Sequence, residues 1–529
     1  MNPCVADYSP FLLRNMLLEH LAESDRDHLE VLDASRGAAN WQNRRVMNAW
    51  HALGLYAASA CGTPEDDGEI AIALKREEPH HARFAALIGD VPSNGGLREG
   101  GDLLMKMWDW LAEELLLDYS RDEIVYQFAE AVAGRAYPSP ATLDFVAPIM
   151  RRYLAPLLFR DNRDLAEQFE VIACEGATTG LAQAAMTLAR HGVISPGDRA
   201  AIIWPTYEPL RDLVECQLGC EVVQVRLDPE TEWIASEDEL KKLLDPSLRM
   251  VVTVSPGNPV PIITCQDILD RLEVAVRMNP DLLIISDYVY ARFLDYSVET
   301  EIERLPRNTI GVYSVSKDFG LAGMRLGVVL AHPEGVAQRL LERASGERRA
   351  EMNARYCRRA LDPAEMSFGE RMVAESRGVS FTHMSGISTS LQALLCVCAA
   401  YDRLDPTSED YFDWIRHELM ERVGALHDGL GLPTPGWMDG ASSRYATPID
   451  LGAVARARGG EQLESALRRH NLWDLLVYLA RNWKVILTPG ESFGTGEWSV
   501  RACFPSIDAR QARELGRRVA DAVEQFAGS

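Results

Sequence analysis

The 15-residue run from Tyr313 through Ser314, Ser316, Lys317 and Arg325 to Gly327 gathers reactive side chains at the end of an apolar stretch. A lysine buried there is costly as a cation. It becomes tolerable once its amine condenses to an imine, and desolvation lowers the pKa of such an amine. Ser314, Ser316 and Arg325 are the donor types that hold a phosphate dianion. Glycines at 320, 323 and 327 allow a sharp loop and close backbone approach. The chain has only six lysines: Lys75, Lys106, Lys241, Lys242, Lys317 and Lys484. Lys317 alone follows a buried-type apolar run among phosphate donors.

Four further segments could complete a site. Gly176, Ala177 and Thr178 follow a strand pattern and open the helical run LAQAAMTLARHG, as an anion site at a helix N-terminus would. Asp287 ends LLIISD, where a buried carboxylate facing a pyridine nitrogen would keep that nitrogen protonated. Asn258 in SPGNP and Tyr290, three residues past Asp287, could both bond a ring oxygen. Tyr207 in WPTYEP could stack on a ring face. Turn former and core aromatic are the other roles open to Asn258 and Tyr207.

The elements that must position these residues are legible as alternating patterns. Apolar, β-branched runs at 169–174, 199–205, 221–227, 250–256, 282–287, 309–316 and 325–331 are separated by helical periodicity. That pattern predicts an α/β fold with a mostly parallel sheet between helices. Ligands in such folds sit at the carboxyl ends of the strands. The expected organisation is a helical N-terminal segment over 1–130 that joins a smaller domain and a large α/β domain over 131–332. A helical insert over 333–400 and a small α+β domain over 401–529 follow. PFLLRNMLLEHLAE (10–23) and EGGDLLMKMWDWLAEELLLD (99–118) carry helical apolar spacing.

Composition sets the outer bounds. The chain has 529 residues, 47% hydrophobic and 25% charged, within the ordinary globular range. A net charge of −24 argues against a nucleic-acid-binding surface. No basic and apolar leader opens the chain, and no run of 18 uncharged apolar residues appears. A cytoplasmic protein without membrane contact is expected. The ten cysteines read as free thiols, with no metal site expected.

Taken together, these motifs resemble the fold-type I, pyridoxal-phosphate-dependent aminotransferase superfamily. The order matches: Gly-Ala-Thr, Pro-Thr-Tyr, Asn-Pro, Asp-x-x-Tyr, Ser-x-Ser-Lys, then Arg before Leu-Gly. The resemblance implies that Lys317 forms the internal aldimine. It implies that Gly176, Ala177, Thr178, Ser314, Ser316 and Arg325 hold the phosphate. Asp287 would pair with the ring nitrogen, and Asn258 and Tyr290 with the phenolic oxygen. Arg501 in WSVRACF matches the arginine that forks onto the substrate α-carboxylate. Tyr137 in AYPSP matches a tyrosine that reaches a neighbouring subunit's phosphate, implying a homodimer or larger homo-oligomer.

Over nearly the whole length the chain resembles aspartate 4-decarboxylases, which also transaminate aspartate. The carrying segments are YSPFLLR (8–14), SRGAAN (35–40), the insert at 354–389 and LTPGESFG (487–494). That branch implies an external aldimine and quinonoid on an amino acid, followed by loss of the β-carboxylate or transamination. Arg36 is the candidate second carboxylate binder, a surface salt bridge being its other reading. Two departures fall where substrate is expected to be read: Gly37-Ala38-Ala39 after Arg36, and Ser286 before Asp287. Pro-Thr-Tyr and Arg-Ala-Cys-Phe are also similar to 1-aminocyclopropane-1-carboxylate synthases. This implies an alternative: γ-elimination from S-adenosylmethionine, with cyclisation or carbon–carbon bond formation to a second small molecule. A non-enzymatic regulator of this superfamily would need a basic DNA-binding module, and the acidic chain shows none.

Overall fold

The computed structural model describes residues 8–24, 26, 28–61, 73–92, 95–135, 142–357, 360–376 and 387–528. Its contacts divide the chain into two units. One comprises 1–41, 194–308 and 412–529; the other comprises 42–193 and 309–411.

In the first unit, the apolar runs Leu283–Asp287, Leu248–Val254, Arg199–Trp204 and Glu221–Asp228 lie side by side in that order, all parallel. The short strand Ile234–Ala235 closes the edge antiparallel to Glu221–Asp228. Strands buried on both faces must be apolar throughout, and Leu283–Asp287 is buried at every position. Helix Gln266–Met278 covers one face with Ile268, Leu272 and Ala275. Each such Leu or Ile contributes roughly 1.5–3 kcal/mol by burial. The strands' carboxyl ends deliver Asp287, the 255–258 turn and Tyr207 to one edge.

The C-terminal part of this unit is antiparallel. Ala446–Asp450, Ser499–Cys503 and Thr488–Pro489 pair in that order. Leu32–Asp33 adds a parallel pair with Val485–Ile486. Helix Ala509–Ala527 starts at a capping box formed by Asp508 and Gln511. Its Arg518 donates to the carbonyls of Glu30 and Trp483, tying the N-terminal segment to the C-terminal helices.

In the second unit, Gly327–Ala331 runs between Glu170–Cys174 and Thr309–Tyr313, antiparallel to both. The described helices within 42–130, part of the 1–130 segment expected to join the smaller domain, pack here instead. The reason is in the helices: Arg44–Ser59 buries Val46, Ala49, Leu53 and Tyr56, and Gly96–Trp110 buries Leu103, Leu104, Met107 and Trp108. These apolar faces close on each other, and Gly100 lets the backbones meet: an added Cβ would lie 2.3 Å from Ala49 N. The long helix expected over 99–118 ends as an α-helix at Trp110 and continues as a π-turn over Leu111–Leu115.

The insert folds as helices Gly346–Tyr356 and Phe368–Ser376. A buried polar cluster ties it to the C-terminal end of helix Ala177–Arg190. Tyr356 Oη lies 2.7 Å from His191 Nε2 and donates to Glu375 at 2.6 Å. Arg355 and Arg190 also pair with Glu375. Among the described residues, no helix is long and apolar enough to cross a membrane. The nine cysteines among them are free thiols.

Candidate active site

In the second unit, the phosphate-type donors converge where three strand ends meet. Cys174 pairs with Gly327 and Tyr313 with Val328. The turns after Cys174 and Tyr313 therefore lie beside the segment that enters at Arg325. Gly176 caps helix Ala177–Arg190 at φ +82°. A Cβ there would stand 2.8 Å from Arg325 Nη2, so the missing side chain is what seats the guanidinium against the helix N-terminus. Gly327 is required for a similar reason, because its Cβ would lie 2.8 Å from the Gly176 backbone. Ser314 Oγ donates to the Leu326 carbonyl at 2.5 Å, and Ser316 Oγ accepts from Leu326 N at 3.3 Å. These bonds fix the loop around Lys317. Arg325 itself is exposed, in a left-handed conformation at φ +56°.

Lys317 is half-buried, four residues beyond the end of Thr309–Tyr313. Its neighbour Asp318 is fully buried and accepts from Tyr313 Oη at 2.6 Å and Tyr153 Oη at 2.9 Å. Tyr411 donates to the Asp318 carbonyl at 3.0 Å. The reactive loop thus stands on a tyrosine-clamped carboxylate that sequence reasoning did not single out.

In the first unit, Asp287, Asn258, Tyr290 and Arg501 are all buried. Asp287 Oδ1 accepts from Val289 N at 3.0 Å. Asn258 Nδ2 donates to Tyr290 Oη at 3.3 Å, and Arg501 Nη1 donates to Asn258 Oδ1 at 3.4 Å. Burial lifts the Tyr290 phenol far above its usual range, so it stays protonated and can donate. Its ring packs 4.8 Å from Tyr445, whose hydroxyl donates to the Gly37 carbonyl.

Arg501 is placed by the centre of the antiparallel sheet. Its guanidinium lies 4.3 Å from the Phe493 ring centroid, and Nη2 donates to the Ser35 carbonyl at 2.7 Å. Its buried Nε–H has no acceptor among the described residues. A buried orphan donor on a cation is costly unless a ligand completes it. A small pocket lies beside it, lined in part by Tyr207, Glu208, Phe493 and Arg14.

Not every expected residue is in these groups. Arg36 is exposed and is not among the residues lining the pocket. Its neighbours Ser35 and Gly37 are tethered through their carbonyls, which leaves the side chain between them outside. Arg14 lines the pocket instead. Ser286 is fully buried, hydroxyl to hydroxyl with Thr253 at 2.6 Å, so it offers no surface to a substrate. Tyr137 lies outside the described residues.

The donors present suit pyridoxal phosphate. A helix N-terminus, a serine-held loop and an exposed guanidinium match a phosphate, and a cradle that a Cβ would fill keeps that guanidinium in place. Asp287 is the anion type a protonated ring nitrogen needs, and the Asn258–Tyr290 pair is the donor type for a ring oxygen.

A family model described as aminotransferase class I and II matches residues 141–519. The chain is 29% identical over 538 aligned residues to a bifunctional aspartate aminotransferase and L-aspartate beta-decarboxylase of a Pseudomonas species. That alignment covers 99% of this chain and 98% of the relative. It is also 29% identical to the valine–pyruvate aminotransferase of Mycobacterium tuberculosis, over 62% of this chain and 81% of that protein. Among solved structures, an aspartate aminotransferase double mutant of Thermus thermophilus is similar at TM-score 0.56. It is 15% identical and covers 99% of this chain and 97% of its own. An aminotransferase of Mycobacterium tuberculosis is similar at TM-score 0.58 with 18% identity, covering 99% of both chains. The chain therefore belongs to the class I and II aminotransferases, pyridoxal-phosphate-dependent enzymes of fold type I.

Proposed function

We propose that the enzyme acts on aspartate, releasing the β-carboxylate as CO₂ or passing the amino group to an oxo acid. The observation that carries this reading is the incomplete guanidinium of Arg501 beside a small pocket that holds a second arginine. The full-length similarity to a bifunctional aspartate enzyme supports it.

When bound, the cofactor supplies an electron sink conjugated to the substrate's amino nitrogen. Lys317 anchors it and then moves the proton at the substrate Cα as general base. Gly176, Ala177, Thr178, Ser314, Ser316 and Arg325 hold the phosphate. Asp287 keeps a proton on the ring nitrogen, Asn258 and Tyr290 donate to the ring oxygen, and Tyr207 covers the ring face. Arg501 takes the α-carboxylate bidentately, a task suited to a planar fork of donors. Tyr137 completes the phosphate site of a neighbouring subunit, so the active form is at least a homodimer.

Glu208 favours a second reading. It lies on the pocket wall with Tyr207 and Phe493. A carboxylate among aromatic rings suits a sulfonium. On S-adenosylmethionine, Cα deprotonation followed by loss of a Cβ proton would push electrons out through the γ C–S bond, whose pair leaves on the sulfur as neutral methylthioadenosine. The remaining carbon skeleton would cyclise or join a second small molecule.

Incubating the cofactor-loaded protein with aspartate and an oxo acid, and separately with S-adenosylmethionine, followed by mass spectrometry, decides between these readings. Alanine with CO₂, or oxaloacetate, supports the first. Methylthioadenosine from S-adenosylmethionine, with aspartate unchanged, overturns it in favour of the second.

A further inference from the structure

We propose that Arg14 reads the second carboxylate of the substrate, and that Asp33 holds Arg14 until substrate displaces it. This rests on the aspartate reading above and assigns the residue that makes it selective.

Arg14 lies on helix Pro10–Ala22, which Ser9 caps by accepting from Leu12 N. Its side chain is 12% exposed and makes two directed contacts: Nη2 with Asp33 Oδ2 at 2.5 Å, and Nε to Ser35 Oγ at 2.8 Å. Ser35 also gives its carbonyl to Arg501 Nη2 at 2.7 Å. One residue therefore spaces two guanidiniums that line the same pocket. Two rigid forks at a fixed separation are what a short dicarboxylate requires. A single arginine would serve any α-amino acid equally. Arg36 cannot take this place, because its side chain is exposed and is not among the residues lining the pocket.

Asp33 is anchored independently of Arg14. Its Oδ1 accepts from Ser35 N at 3.0 Å and from Ser35 Oγ. When a substrate carboxylate replaces Oδ2 at Arg14, Asp33 keeps its backbone partner and stays in position. Asp33 thereby competes with every dicarboxylate that enters, and removing its charge should tighten dicarboxylate binding. Losing Arg14 should do the opposite. A purely structural ion pair gives the same sign for both substitutions.

The test uses the cofactor-loaded enzyme. Calorimetry gives dissociation constants for maleate and for propionate, and kinetics give kcat/KM for aspartate and for alanine. Arg14→Ala should lower the maleate-to-propionate preference, and the aspartate-to-alanine ratio, roughly 10- to 100-fold, the range of a charge-assisted pair. Asp33→Asn should raise both ratios by about threefold or more. The proposal is overturned if the ratios stay put, or if Asp33→Asn lowers them as Arg14→Ala does. If Arg14→Ala does not fold, the sign of the Asp33→Asn effect decides alone. Wild-type enzyme that leaves aspartate unchanged contradicts the functional reading. Wild-type activity on aspartate with unmoved ratios contradicts only the role of Arg14.

Discussion

Gly176→Ala separates the energetic roles of the phosphate cradle. Gly176 sits at φ +82° and ψ 165°, a region that only glycine adopts freely. An alanine there costs about 1–3 kcal/mol in backbone strain. Its Cβ would also stand 2.8 Å from Arg325 Nη2 and 3.2 Å from Cζ. Ordinary contact begins near ~3.5 Å, so the guanidinium must withdraw by about 0.7 Å. A charge-assisted bond from that guanidinium to a phosphate is worth about 1.5–3 kcal/mol. Cofactor affinity should therefore fall roughly 10- to 150-fold. Equilibrium titration of the cofactor-free variant by visible absorbance measures the second effect, and its thermal midpoint without cofactor measures the first. Both should fall. A lowered midpoint with cofactor affinity within about twofold of wild type would refute the assignment of Arg325 to the phosphate.

Three further outcomes are expected. Arg501→Lys replaces a planar fork by a point charge, so amino acid affinity should drop about tenfold or more while the cofactor spectrum persists, read by spectral titration. Burial lowers His191 to about 4 from its usual 6.5, so the unfolded chain binds the extra proton between those values. Stability from this group is complete above about pH 6.5 and is lost as pH falls toward 4, by at most about 3 kcal/mol. Thermal midpoints from pH 4 to 8 should show that slope, and His191→Phe should flatten it. Tyr313→Phe removes one of two phenols on Asp318 and should cost about 1–3 kcal/mol of stability. An unchanged midpoint would show that Tyr153 alone satisfies that oxygen.

The legible part of this protein is the part whose chemistry is local. Lys317, Ser314, Ser316 and Arg325 fall within one loop, because a strand end and a tight turn suffice to gather a phosphate site. The parallel strands were legible because burial on both faces forces a continuous apolar run. The pocket wall was not. Arg14 and Arg501 are brought together by the packing of an N-terminal helix and a C-terminal sheet, and no periodicity records that pairing. Arg36 drew attention through its motif, yet the carbonyls of Ser35 and Gly37 are the groups that are tethered. Asp318 was equally silent, since its partners Tyr153 and Tyr313 lie 165 and 5 residues away. The helical 1–130 segment is expected in the smaller domain as a whole, but the apolar faces of the described helices within 42–130 place them in the second unit.

The proposed chemistry depends on Lys317 carrying the cofactor. Borohydride reduction of the loaded protein, followed by peptide mass mapping, tests it at a single atom. A pyridoxyl adduct is expected on Lys317 and on none of Lys75, Lys106, Lys241, Lys242 or Lys484. An adduct on any of those five, with Lys317 unmodified, would contradict it.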